Sequence, residues 1–225
     1  MSVFKYKIFR KIIPEELSSF LYWYLDLRAD TVKYIYDAKI FPPNKWFGFF
    51  GDGQIAGHHY SQYADFAMET LLIFIQDRLE KKLKRKLVPT YAFTRMYYKG
   101  SEMYRHRDRM SCEISGTLNL GGDMWPIYID PTGEDNIIKP QKILQGEIKG
   151  TKPVIAKTAS KGVKVELGPG DLMMYEGNKF EHWRYKFKGK KCGQVFLHYN
   201  YKDGPIGVGH KFDKRPKLGM QVDRD

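Results

Sequence analysis

The feature that most constrains the fold is a series of short β-forming segments that starts after Pro89. Gly, Pro and Asp turns separate these segments, which cover residues 90–98, 113–120, 125–129, 163–167, 171–177 and 194–200. Short strands at this spacing are typical of a β-sandwich or a β-barrel. We therefore predict a β-rich core from residue 89 to about residue 202.

Helix signals lie before this core. Residues 14–28 predict a helix, and Pro14 suits a first helical position. Residues 63–85 predict a second helix, because Leu and Ile recur there at steps of three and four. We expect a single domain in which residues 1–88 form a helical support for the barrel and residues 203–225 form a surface tail.

Charge and cysteine content bear on partners and compartment. The chain has 38 Lys and Arg against 26 Asp and Glu, a net charge of +12. This charge fits an anionic partner such as nucleic acid, although solvated lysines are the simpler explanation. The two cysteines, Cys112 and Cys192, cannot build a disulfide scaffold, and the N-terminus lacks the apolar stretch of a secretory signal. No apolar run is long enough to span a membrane, so we expect a soluble cytoplasmic protein.

The stretch His106-Arg107-Asp108 is the first candidate for chemistry. On an extended chain, residues two apart point the same way, so His106 and Asp108 can reach one ion. The pattern is short enough to occur by chance, and a charged surface loop is the alternative. A third ligand is available in His182, which follows a strand and a turn. The other histidines are predicted to be structural or remain ambiguous: His58, His59, His198 and His210.

Two histidines and one carboxylate on a β-scaffold are typical of the facial triad of non-haem Fe(II) oxygenases. Three protein ligands then occupy one face of an octahedron, and three adjacent positions stay open. A structural zinc site would instead close its shell with four ligands, usually including cysteine. Neither Cys112 nor Cys192 has a CxxC partner, which makes structural zinc the weaker interpretation.

With these motifs the chain resembles the Fe(II)/2-oxoglutarate-dependent oxygenase superfamily, and within it the prolyl 4-hydroxylase-like branch. The resemblance covers roughly residues 89–202. It is carried by YYKGSEMYRHRD (97–108), GPGDLMMYEG (168–177) and EHWRYKFKGKKCGQVFLHYN (181–200). It implies a mainly β, α+β fold: a double-stranded β-helix, which is a jelly-roll, cupin-like barrel, supported by N-terminal helices.

The resemblance also implies a site. His106, Asp108 and His182 would bind Fe(II), with 2-oxoglutarate and O2 as co-substrates and with succinate and CO2 released. A buried cation would bind the far carboxylate of 2-oxoglutarate. Lys191 is the first choice, because it shares strand parity with residues 195, 197 and 199. Lys190 and Arg184 are the alternatives.

Two further positions are candidates for contact with 2-oxoglutarate. Tyr98 occupies the family position of an aromatic residue that precedes the HxD strand, and barrel packing is its alternative role. Ser115, Thr117 and Asn119 share one face of the segment 113–120. We expect this polar face on the solvent side, because alternating strands are usually half exposed. Inside a barrel it would instead donate hydrogen bonds to 2-oxoglutarate.

The resulting functional prediction is a 2-oxoglutarate/Fe(II)-dependent dioxygenase that hydroxylates a prolyl residue or a small amino-acid-like molecule. One alternative is a nucleic-acid-directed oxygenase, favoured by the net charge. Another is a non-catalytic cupin-like metal-binding module, which has no use for a buried Lys191 or Arg184. The long segment 130–162 is the expected substrate lid, with a possible strand pair inside it.

Overall fold

The computed structural model describes residues 5–140 and 152–221. Two helices are present among these residues, α1 (Glu15–Asp37) and α2 (Phe66–Leu83). The strands before the second helix are β1 (Tyr6–Phe9), β2 (Phe49–Phe50), β3 (Ile55–Ala56) and β4 (His59–Tyr63). The strands after it are β5 (Leu87–Tyr98), β6 (Glu102–His106), β7 (Ile114–Gly122), β8 (Ile127–Ile129), β9 (Ile137–Lys139), β10 (Val154–Ile155), β11 (Val163–Val165), β12 (Leu172–Tyr175), β13 (His182–Arg184) and β14 (Lys191–Tyr201).

Two antiparallel sheets form the body of the protein. The larger sheet has the strand order β1-β12-β7-β14-β5-β4-β2, and the smaller one has the order β11-β8-β13-β6-β3. Side chains from both sheets share one apolar cluster, so the sheets face each other. This architecture is a double-stranded β-helix with flanking helices, and the predicted fold class is confirmed.

The helices cover the outer face of the larger sheet. Helix α1 continues nine residues beyond the predicted end at residue 28, because Ala29 and Val32 extend its buried stripe. Helix α2 begins after Asp65, whose carboxylate accepts hydrogen bonds from the backbone N–H groups of Ala67 and Met68. This side-chain cap satisfies two of the helix's free donors and fixes its start.

The strand β14 is buried on both faces, which decides where its side chains point. Val195, Leu197 and Tyr199 pack with the helices on the outer side of the larger sheet. Cys192 and Phe196 pack between the two sheets. The even-numbered residues of this strand therefore face the barrel interior, and the odd-numbered ones face the helical layer.

The first 88 residues are more than a helical support. Strand β1 pairs with β12, β4 pairs with β5 and β3 pairs with β6, so this region extends both sheets. The segment 40–60, which is rich in Pro and Gly, contains the short strands β2 and β3. The division at residue 89 is therefore not a structural boundary.

The C-terminal segment contacts the rest of the protein through several buried residues. It contains a 3-10 segment, Gly207–Lys214, followed by Arg215, which is fully enclosed. The guanidinium of Arg215 lies 2.5 Å from the carboxylate of Glu69 in α2. A buried ion pair of this kind attaches the tail to the helical layer, while many of the other tail residues are exposed.

The predicted lid region, 130–162, is described in part. Strands β9 and β10 pair antiparallel within it, which confirms the expected strand pair. Its central residues, 141–151, lie outside the described residues. Its role as a lid stays a prediction.

Candidate metal centre

Three ligand-type side chains meet at adjoining ends of two paired strands. His106 ends β6 and His182 begins β13, and the antiparallel pairing puts them opposite each other. The Oδ1 atom of Asp108 lies 3.7 Å from Nε2 of His106 and 3.6 Å from Nε2 of His182. One ligand atom from each residue lies within 4.8 Å of the others. The prediction that these three residues lie together is confirmed.

Backbone carbonyls orient both imidazoles. Nδ1 of His106 lies 2.7 Å from the carbonyl oxygen of Tyr104, and Nδ1 of His182 lies 3.1 Å from that of Phe180. Each Nδ1 therefore donates a hydrogen bond to a carbonyl oxygen, which turns Nε2 of the ring towards Asp108. Burial, with a smaller effect of His182, lowers the pKa of His106 to about 4, so its imidazole is neutral at pH 7.

The donor set fits a hard to intermediate divalent metal with open coordination positions. Burial opposes ionisation of Asp108, but the neighbouring histidines, His182 first, hold the pKa of its carboxyl well below its usual range. One carboxylate and two neutral imidazoles form the facial set that non-haem Fe(II) sites use. Both cysteines are free and neither belongs to this group of three ligands, so a thiolate-based zinc site has no support among the described residues.

A cavity of about 210 Å³ opens onto the three ligands. Aromatic rings form much of its wall: Tyr63, Tyr91, Phe93, Tyr175 and Phe196. Three guanidinium groups, an amide and a further imidazole supply its polar atoms: Arg95, Arg107, Arg109, Gln54 and His198. Such a cavity combines an apolar body with a few polar groups that can orient a small ligand.

Arg184 lies two residues after His182 on β13 and is 1% exposed. Its guanidinium donates to Thr117 Oγ1 at 3.2 Å, to Gln194 Oε1 at 3.3 Å and to the carbonyl oxygen of Trp125. Its Nε has no hydrogen-bond partner, and no carboxylate pairs with it in the described parts of the chain. Burial lowers the pKa of Arg184, and a buried cation without a counter-ion is costly. An anionic ligand would supply the counter-charge that the described residues do not supply.

Comparison with known proteins gives no match to a protein-family model and none to a curated protein. Solved structures do match. AviO1 from Streptomyces viridochromogenes is 12% identical, with a TM-score of 0.56 and coverage of 89% of this chain and 91% of its own. HygX from Streptomyces hygroscopicus, solved with nickel and 2-oxoglutarate bound, is 12% identical, with a TM-score of 0.54 and coverage of 87% and 82%.

A third similar structure is a viral collagen prolyl hydroxylase from Paramecium Bursaria Chlorella virus-1, solved as a 2-oxoglutarate complex. It is 10% identical, with a TM-score of 0.50, and the match covers 86% of this chain and 94% of that one. The chain has the fold of 2-oxoglutarate oxygenases. At identities of 10–12% the shared fold is established, and the chemistry has to be argued from the residues of this chain.

In this fold, Lys191 lies away from the three candidate metal ligands. Its Nζ lies 2.6 Å from Asp26 of α1, on the helical side of β14, and its side chain is 34% exposed. The choice of Lys191 as the buried cation is therefore wrong. Lys191 does share a face of β14 with residues 195, 197 and 199, as predicted, but this face packs against the helices and not into the barrel. The alternative Lys190 is exposed as well, with its backbone N–H bound to Asp123.

Tyr98 also lies on the outer side of the oxygenase barrel. It pairs with Lys191 in the sheet, and its ring is 5.0 Å from that of His58. Its neighbour Tyr97 points inward and is fully buried against Trp125. Tyr98 therefore faces the helical layer and Tyr97 the barrel interior, and alternation along β5 could not show which is which because both faces of the strand are buried. The expected contact of Tyr98 with the co-substrate stays a prediction.

The polar face of β7 lies inside the barrel, not in solvent. Ser115 and Thr117 are fully buried and Asn119 is 2% exposed. Asn119 already donates to the carbonyl oxygen of Leu167 and accepts from the N–H of Gly121. Both of these Asn119 hydrogen bonds go to backbone groups, whereas Thr117 accepts a hydrogen bond from Arg184. The expectation of a solvent face is wrong.

Sequence reasoning missed two groups that line the cavity, Arg95 and His198. Arg95 shares strand parity with Tyr97, and its guanidinium lies 2.7 Å from Asp52. His198 shares parity with Gln194 and Phe196 on β14. Alternation along each strand groups these two residues with neighbours on the same face. Only the position of the helices shows that this face is the barrel interior.

No helix in the described part of the chain is long and apolar enough to cross a membrane.

Proposed function

We propose that the protein is an Fe(II)- and 2-oxoglutarate-dependent dioxygenase. The observation that carries the proposal is the convergence of two imidazoles and one carboxylate on a single point, together with a buried arginine on the same strand as His182 that has no carboxylate partner among the described residues. When bound, iron, 2-oxoglutarate and O2 supply the oxidising chemistry that protein side chains lack. The protein contributes binding, orientation and exclusion of water.

In this proposal His106, Asp108 and His182 bind the iron through Nε2, Oδ1 and Nε2. Arg184 binds the far carboxylate of 2-oxoglutarate, because a guanidinium grips a carboxylate with two parallel hydrogen bonds. Thr117 and Gln194, which now accept hydrogen bonds from Arg184, hold the guanidinium in place. A dicarboxylate would neutralise the buried guanidinium of Arg184, which has no carboxylate partner among the described residues.

The substrate we propose is a small amino-acid-like molecule or a single prolyl side chain, with hydroxylation as the reaction. A cavity of about 210 Å³ admits one such group rather than a folded partner. Its aromatic wall suits an aliphatic ring. Arg95 and Arg109 at its edge suit a carboxylate or a peptide carbonyl, although both also pair with aspartates.

Two other functions have less support. A nucleic-acid substrate would need an uncompensated basic surface near the cavity. The basic run 81–86 lies instead at the end of α2, where Arg85 pairs with Asp203 and Lys86 pairs with Glu80. A non-catalytic metal-binding module would leave the burial of Arg184 without a purpose.

The two free cysteines fit a reducing compartment, and a cytoplasmic location is part of the proposal.

The proposal is tested by adding 2-oxoglutarate to the Fe(II)-loaded protein without O2 and recording the visible spectrum. Chelation of iron by the keto acid is expected to produce an absorption band that succinate does not produce. The expected band disappears in His182→Ala. A spectrum that 2-oxoglutarate leaves unchanged in the wild-type protein would overturn the proposed function.

A further inference from the structure

The two carboxylate oxygens of Asp108 have different surroundings. Oδ1 faces the two histidines, at 3.7 and 3.6 Å. Oδ2 accepts a hydrogen bond of 2.5 Å from the hydroxyl of Ser115, which is fully buried on β7. A hydroxyl bonded to a carboxylate is a short, charge-assisted donor. One oxygen is thus directed to the metal position and the other is held by the barrel wall.

The hydroxyl of Ser115 is in turn held by His198. A serine hydroxyl has a single proton, and the bond to Oδ2 uses it. The Nδ1 atom of His198 lies 3.1 Å from Ser115 Oγ, so Nδ1 carries a proton and donates it. The imidazole ring of His198 is 6% exposed and packs on Tyr91, with ring centroids 4.5 Å apart. The result is a chain of hydrogen bonds from His198 through Ser115 to Asp108.

The backbone leaves little space around this chain. The N–H of Asp108 donates to the carbonyl oxygen of Gly177 at 2.9 Å. A Cβ atom added at Gly177 would lie 2.3 Å from both Asp108 Oδ2 and Ser115 Oγ. The carboxylate is therefore enclosed by Ser115 and the glycine backbone on the side away from the histidines.

We propose that Ser115 and His198 are positioning residues that keep Asp108 a one-oxygen metal ligand. This inference rests on the proposed function. A carboxylate that turned to bind the metal through both oxygens would occupy a further coordination position, and the co-substrates need the positions that the three protein ligands leave open. Partners that hydrogen-bond the metal ligands orient them in this way, and their loss typically costs 10- to 100-fold in metal affinity.

The test uses Co(II) alone as the probe, because its visible spectrum responds to the number of ligands. Ser115→Ala removes the donor to Oδ2, and His198→Phe removes the donor to Ser115 while keeping a ring on Tyr91. His198→Asn is the conservative variant, because its amide N–H can take the place of Nδ1–H. Tyr199→Phe is the matched control: it removes a buried hydroxyl hydrogen bond, to Leu72, on the helical side of the same strand.

Ser115→Ala is expected to raise the Kd for Co(II) by about 10- to 100-fold and to alter the spectrum. His198→Phe is expected to act in the same direction with a smaller change. His198→Asn is expected to stay close to the wild-type protein, and Tyr199→Phe to match it in Kd and spectrum. Circular dichroism confirms that each variant folds, and His198→Phe decides the question if Ser115→Ala does not fold.

The two proposals fail in different ways. If the wild-type protein binds Co(II) and both Ser115→Ala and His198→Phe bind it with the wild-type Kd and spectrum, the positioning role is wrong and the proposed function stands. If the wild-type protein binds no Co(II), the proposed function is overturned and the positioning role falls with it.

Discussion

His182 and Arg184 lie on the same face of the three-residue strand β13. His182 is one of the three candidate metal ligands, and Arg184 is enclosed in the core. Two residues along a strand span about 6.6 Å. A rigid strand thus sets the distance between the metal position and the buried cation. In the proposed function, one dicarboxylate would contact both, with its chelating end at the metal and its far end at the guanidinium.

Arg184→Lys tests this relationship. Lysine keeps the positive charge but loses the two-pronged grip, and a hydrogen bond to a charged group contributes about 1.5–3 kcal/mol. We expect the 2-oxoglutarate concentration for half-saturation to rise by about 10- to 100-fold, measured by anaerobic spectral titration of the Fe(II) protein. Lys191→Ala is the matched control and should change this value less than about twofold. The reverse pattern would restore Lys191 as the anchor.

How far the sequence predicts this site depends on what each side chain contacts. The triad was predictable, because His106 and Asp108 are two residues apart on an extended chain and His182 follows a recognisable turn. The choice between Lys191 and Arg184 was not predictable. Strand β14 is buried on both faces, so alternation separates its residues into two sets without showing which set faces the barrel interior.

Asp108→Asn should abolish tight metal binding. The amide keeps the shape of the carboxylate but removes its negative charge, and the two imidazoles alone are poor ligands for Fe(II). We expect the Kd for Fe(II) or Mn(II), measured anaerobically by calorimetry, to rise by at least about 100-fold. Asp135→Asn is the control, because Asp135 pairs with Arg107 close to the cavity but its side chain is 87% exposed. Equal metal affinity in the two variants would contradict the assignment of Asp108 as a ligand.

The metal-free protein should lose stability as the pH falls from about 6.5 to about 4. Burial lowers the pKa of His198 to about 4, against about 6.5 in an unfolded chain. Between these values the unfolded state binds more protons, so the free energy of unfolding rises with pH by up to about 3 kcal/mol for this group. Urea unfolding in EDTA across this range measures the effect. His198→Asn should flatten the profile by up to one proton, and an unchanged slope would contradict the buried neutral state.

Arg215→Met should destabilise the protein by about 3–5 kcal/mol, because it leaves the carboxylate of Glu69 buried without its cation. Urea unfolding measures this loss. The double variant with Glu69→Met should be less destabilised than Arg215→Met alone, since no unpaired charge is then buried. Lys217→Met, an exposed change two residues further on, should have little effect. Similar stability of Arg215→Met and Lys217→Met would show that the tail does not contribute to the fold.

The attachment of this tail to α2 could not be predicted from the sequence. The segment 203–225 is rich in Gly, Lys and Asp, which is typical of a surface loop. One buried partner, Glu69 on α2, attaches it through Arg215. Side chains that meet across about 146 positions of sequence leave no local pattern.

Release of succinate from 2-oxoglutarate is the measurement that tests the central claim most directly. The Fe(II)-loaded wild-type protein is incubated with 2-oxoglutarate under O2, and succinate is followed with and without added peptide or amino acid. We expect O2-dependent succinate in the wild-type protein and none above background in a folded His106→Ala variant. A wild-type protein that releases no more succinate than His106→Ala would contradict the account.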